Sequence, residues 1–143
     1  MPIVFNGVPK SAFFPKRNAL KNAIKNIANK HGFSIGELTY IFVTDGGLLD
    51  MNQTYLNHDY FTDIITFDNS ETEKKIEGDV FISWERVEEN GRTIGDGILE
   101  EYVRVIGHGF LHLLGYLDKK PNEKEEMRRM ESAFIEEYNS ITK

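Results

Sequence analysis

The sequence predicts one α+β domain over residues 1–143: a small mixed sheet of about four strands packed with about five helices, and a metal site at the end of the long helix. Three observations lead there. Short runs rich in β-branched and aromatic residues alternate with segments whose apolar residues recur every three to four positions, in the order β, α, β, α, β, β, α, α, α. A chain of 143 residues, 40% hydrophobic, can bury one core, and no repeat, low-complexity tract or Pro/Gly/Ser linker divides it. Two histidines, His108 and His112, stand one helical turn apart just before a glycine able to end the helix.

In order along the chain, "IVFN" at residues 3–6 reads as a short strand. Pro15 opens a helix in which Leu20, Ala23, Ile24, Ile27 and Ala28 share the inner face, Arg17, Lys21 and Lys25 face outward, and Gly32 closes it. "ELTYIFVT" is a strand, and "GGLLDMNQTYLN" is a short helix capped by Asp45. "DIITF" and "GDVFIS" are two further strands, with "SETEKKIEG" a polar surface turn between them. "SWERVEEN" begins a helix. The long helix then runs through "GDGILEEYVRVIGHGFLHLLG", with Ile98, Tyr102, Val105, Ile106, Leu113 and Leu114 available to the core and Gly115 as its stop. A last helix runs from about Asn122, paired with Glu125 as a capping box, to Tyr138, with Met127, Met130, Phe134 and Ile135 inward.

Composition narrows the chemistry. With no cysteine in the chain, disulfides, thiolate zinc sites and cysteine nucleophiles are excluded, so a metal must be held by nitrogen and oxygen. The formal net charge of −6 argues against bulk attraction to nucleic acid. The charge is uneven, however: Lys10, Lys16, Arg17, Lys21, Lys25 and Lys30 occupy the first 36 residues, which hold none of the 23 acids. The opening "MPIVFNGVPK" lacks the charged start and apolar run of a secretory signal, and no stretch approaches the roughly 20 apolar residues of a membrane span. A cytoplasmic protein with no membrane contact is the expectation.

Four residues apart on a helix, His108 and His112 leave one face about 5.4 Å from each other along the axis and can reach a common ion at roughly 2.0–2.1 Å. Gly115 lets the chain turn, and Asp118 can bring a carboxylate back to the same point. The pattern H-x-x-x-H-x-x-G-x-x-D thus offers three ligands and an open fourth position, as in catalytic metal sites. Zinc-dependent peptidases share this spacing but use a glutamate after the first histidine as general base. Gly109 stands there instead, and a glycine cannot take a proton.

"HGFLHLLGY" resembles the H-G-x-L-H-L-x-G-Y signature of the YbeY-type bacterial rRNA maturation factors. "LLDMNQTYLNHDYFTDIITF" and "EGDVFIS" resemble two further motifs of that family, in the same order. The resemblance implies a metal-dependent, single-strand-specific endoribonuclease acting in ribosomal RNA maturation, 16S rRNA processing above all, and in ribosome quality control. Its partners would be ribosomal RNA and the ribosomal subunit or its proteins. Two positions depart from the family pattern. The third ligand there is usually histidine, where Asp118 stands, and an arginine thought to serve RNA cleavage is replaced by Leu56, with Asn57 and His58 as neighbours that could substitute. The carboxylate keeps Zn²⁺ as the expected ion, one per chain, and leaves Fe²⁺, Mn²⁺ and Ni²⁺ open.

Candidate catalytic residues from the matching upstream segment are His58, Asp59, Thr62 and Asp63, with Asp79 at the start of a strand. Arg17, Lys21, Lys25, Lys119 and Lys120 are candidate RNA contacts, and Lys124, Arg128 and Arg129 lie just beyond. Trp84 and Phe110 are expected in the core, with base stacking as the alternative. Two other functions compete: a metalloprotease-like hydrolase, disfavoured by Gly109, and a non-catalytic ribosome- or RNA-binding module with a structural metal, which Leu56 keeps open.

Overall fold

The computed structural model describes residues 3–56, 62–94 and 97–143. Among these described residues nine elements follow in order: β1 (Ile3–Asn6), α1 (Arg17–Lys30), β2 (Ser34–Val43), α2 (Asp45–Leu56), β3 (Ile64–Asp68), β4 (Lys75–Ser83), α3 (Trp84–Ile94), α4 (Ile98–Leu114) and α5 (Pro121–Thr142). The strands form one mixed sheet in the order β1-β2-β4-β3, with β1, β2 and β4 parallel and β3 antiparallel to β4. Parallel neighbours need crossovers, and α1 supplies the one between β1 and β2.

Pleating sorts the side chains of the sheet. Leu38, Tyr40 and Phe42 of β2 pair with Gly78, Val80 and Ile82 of β4, and all six are buried on one face. α1 and α4 cover that face, and α5 packs across both helices. Tyr40 ties the layers together by donating its hydroxyl hydrogen to the Ile106 carbonyl at 2.9 Å. α2 lies against β3 and β4, where Tyr55 meets the ring of Phe67 edge-on.

The element order agrees with the sequence pattern, and the departures are local. α1 begins at Arg17, two residues beyond Pro15, which is buried ahead of the helix, while Gly32 takes a positive φ of 78° just after it as expected. α2 is not capped by Asp45. Thr44 accepts the Gly47 N–H on its hydroxyl at 3.1 Å, and Asp45 instead binds Arg86 at the start of α3 through two bonds of 3.0 and 2.9 Å. The hydrogen bonds and charge of Arg86 hold the Asp45 carboxyl below its usual range against a smaller effect of burial.

β4 starts three residues before Gly78, inside the stretch read as a turn, because Ile76 alternates into the buried face. α5 begins at Pro121, one residue before Asn122. Its capping acid is Glu123, whose carboxylate accepts the Lys119 and Lys120 N–H groups at 3.2 and 2.9 Å; a lysine side chain cannot return the bond. Gly115 ends α4 with φ 112°, and the Tyr116 N–H closes the turn on the Leu111 carbonyl at 3.0 Å.

Candidate metal centre

α4 is polar only along one stripe. Gly107 and Gly109 press against neighbours: a Cβ at Gly109 would lie 2.7 Å from Val80 Cγ1 and 3.1 Å from Ile64 Cδ1, and one at Gly107 would lie 2.5 Å from the Phe134 ring. The position where a peptidase carries its glutamate therefore faces the sheet, and an acid there would not reach the histidines. Sheet-side packing at Gly109 fixes the rotation of α4, which sends His108 and His112 outward into a cleft.

The two rings lie edge to face with centroids 4.5 Å apart. Their Nε2 atoms are 3.2 and 3.3 Å from the same oxygen, Oδ2 of Asp118, which the turn after Gly115 returns to the helix end. The three residues offer ligand atoms all within 4.8 Å of one another and so form a group that could hold a metal ion.

Each histidine is oriented from behind by a different kind of acceptor. His108 Nδ1 lies 2.6 Å from Glu131 Oε2 on α5, and His112 Nδ1 lies 3.0 Å from the backbone carbonyl of Tyr116. A carbonyl and an ionised carboxylate only accept, so both rings carry hydrogen on Nδ1, which leaves Nε2 as the atom each ring could offer to a metal. This donor set fits a divalent ion such as zinc: two imidazoles fixed in the ligating tautomer, plus one carboxylate. Tyr116 is anchored in turn, its hydroxyl 2.9 Å from His31 Nε2 at the end of α1.

Burial alone would hold His108 in its neutral form. The hydrogen bond and charge of Glu131, together with Asp118 and Asp63, outweigh it and raise its pKa. Burial pushes the Asp63 carboxyl above its usual range, opposed by His108.

The cleft in front of the group has a volume of about 730 Å³ and is walled by β3 and α4. Thr62 and Asp63 line it, as do Lys119, Arg104, Glu101 and Asn52. Thr62 donates to the Ile64 carbonyl at 3.2 Å, forming the turn that leads Asp63 into β3. His58 and Asp59 lie outside the described residues. Asp79 pairs with Phe67 across the sheet, one step out of phase with Val80 beneath α4, so it lies on the opposite face, where Asn69 donates to it at 3.0 Å. Among the described residues, Arg17, Lys21, Lys25 and Lys120 are not part of the cleft wall. Arg17 sits over the Phe14 ring, and Lys120 is exposed at the start of α5. Arg129 pairs with Glu126. Phe110 is buried in the core, and Trp84 is half-buried against it.

Sequence reasoning missed Glu131, Glu101, Asn52 and Arg104. Glu131 carried a signal, an acid on the same helix face as Met127 and Phe134. Arg104 carried another, because it precedes His108 by the same four residues that separate His108 from His112.

A sequence profile described as "Endoribonuclease YbeY" matches residues 11–139. The chain is 51% identical over 120 residues to the "Endoribonuclease YbeY" of Cytophaga hutchinsonii, covering 84% of each protein. It is 45% identical over 117 residues to that of Parabacteroides distasonis, covering 82% of each. The solution structure of TM1509 from Thermotoga maritima superimposes with a TM-score of 0.67 at 26% identity, covering 95% of this chain and 88% of that one.

Proposed function

The chain belongs to the YbeY endoribonuclease family, and from that premise we propose that residues 1–143 act as one metal-dependent endoribonuclease domain in ribosomal RNA maturation, with His108, His112 and Asp118 holding the ion. The observation that carries this reading is the convergence of two Nε2 atoms on one Asp118 oxygen at the head of an open cleft. Zinc is the ion we assign, because nitrogen and oxygen donors in a three-residue set with an open position suit it. When bound, such an ion supplies Lewis-acid polarisation of a phosphate oxygen and lowers the pKa of water.

The chain's own residues do the rest. Glu131 and the Tyr116 carbonyl keep both imidazoles in the ligating tautomer. Lys119, on the cleft wall, positions a phosphate of the strand. Asp63, which lines the cleft and whose carboxyl burial raises above its usual range, is the group placed to hand a proton to the leaving sugar oxygen. A single strand is the substrate, since its backbone can enter a cleft walled by side chains whereas a duplex presents a rigid outer shape. The ribosomal subunit is the partner and the cytoplasm the location; among the described residues no helix is long and apolar enough to cross a membrane.

The test is incubation of zinc-loaded protein with an unstructured RNA and with casein, using the His112→Ala variant as control for contaminating ribonuclease. RNA cleavage that disappears in the variant is expected. Cleavage of casein, or RNA cleavage equal in the variant, would contradict the reading.

A further inference from the structure

The wall of the cleft is unusually acidic for a site that admits a polyanion. Asp63, Asp68, Glu101, Asp118 and Glu131 all line it, and among the described residues only Arg104 and Lys119 bring a permanent positive charge. Lys119 sits next to Asp118. Arg104 is on the other side of the group, four residues before His108 on α4, so it lies about 6 Å farther along the helix axis on the same stripe. A strand laid along α4 therefore reaches Arg104 with a part of its backbone adjoining the phosphate held at the histidines.

We infer that Arg104 is the phosphate-binding cation of the cleft, gripping the phosphodiester that flanks the one being cut. This rests on the endoribonuclease reading above. Three features support it. Glu101, buried beside it, forms an ion pair with Arg104 Nη2 at 3.2 Å. A guanidinium carries five N–H donors in a planar fork that matches the geometry of a phosphate. Arg104, His108 and His112 form one row at intervals of four residues, so a strand laid along α4 meets the arginine and the metal group in succession. Asp63, Asp68, Glu101 and Glu131 share that wall, so a phosphate there needs a cation beside it.

Binding of a fluorescent 2′-O-methyl single-stranded oligoribonucleotide to the zinc-loaded protein, titrated across salt concentrations, tests this without any cleavage. Arg104→Gln is expected to weaken binding about tenfold at 0.1 M salt and to reduce the slope of log affinity against log salt by about 0.7, one phosphate contact on a single strand. Arg104→Lys keeps the charge and the partner for Glu101 and guards against a folding defect. It is expected to retain the wild-type slope and the wild-type metal content but to raise KM several-fold in cleavage of unmodified RNA, with kcat little changed, because the fork is lost. Wild-type affinity and slope in Arg104→Gln, or wild-type KM in Arg104→Lys, would overturn the inference. Failure of wild-type protein to cut unmodified RNA would instead count against the proposed function, and the binding slopes separate the two.

Discussion

The two histidines of the metal group are held by opposite means. His108 is braced from outside its own segment, by the side chain of Glu131 reaching across from α5. His112 is braced from within its segment, by the carbonyl of Tyr116 in the turn that Gly115 makes possible. The first support is a charge that one substitution can remove. The second is a backbone dipole that no side-chain change deletes directly, and it fails only if the turn is remade. Asp118 lies on the turn side, so one glycine positions both a ligand and the brace of another.

That contrast can be broken from either side. Glu131→Gln keeps a hydrogen-bond acceptor but removes the charge behind His108, and outer-shell changes of this kind typically cost 10–100-fold in metal affinity. We expect about that loss in a zinc-competition titration, with little change in thermal stability. Gly115→Ala attacks the other side. With φ at 112°, an L side chain strains the turn by about 1–2 kcal/mol, and we expect a lower melting temperature together with a several-fold loss of zinc affinity. Tyr116→Phe removes the hydroxyl that meets His31 but leaves the carbonyl that holds His112. It should cost about 1 kcal/mol in a denaturant melt and leave zinc affinity unchanged; a weaker site in that variant would mean the tyrosine hydroxyl, rather than the backbone, steers His112.

Asp45 provides a distant control. Its folded pKa lies below the ordinary value because Arg86 favours the carboxylate, so its stabilising effect is present above the ordinary aspartate range and is lost as pH falls through the folded value. Asp45→Asn should therefore destabilise by about 1 kcal/mol near pH 7. The difference from wild type should shrink once pH drops below about 4, with zinc affinity unaffected throughout.

The sequence made the elements and the candidate ligands legible for the same reason: both are written in short-range spacing. The period of the apolar residues gave nine elements in the observed order, and four residues plus a glycine turn gave His108, His112 and Asp118. What the spacing could not carry is contact between distant segments. Glu131 reaches His108 from 23 residues away, and Asp45 spends its carboxylate on Arg86 rather than on its own helix, leaving the cap to Thr44. Asp79 is a site candidate in the sequence because it stands at the start of a strand inside a matched motif, but strand alternation turns it to the far face of the sheet. Gly109 marks in the sequence the absence of a base, and its packing against Val80 supplies the physical reason that no larger residue stands there. Arg104 lies within reach of the same spacing argument, four residues before His108 on the polar stripe of α4.

Elemental analysis of purified protein beside its His108→Ala, His112→Ala and Asp118→Ala variants tests the centre most directly. About one zinc per chain is expected in the wild type, with loss of most of it in each of the three variants. Full zinc retained in any one of these variants would contradict the assignment of that residue, and full retention in both histidine variants would remove the metal site altogether.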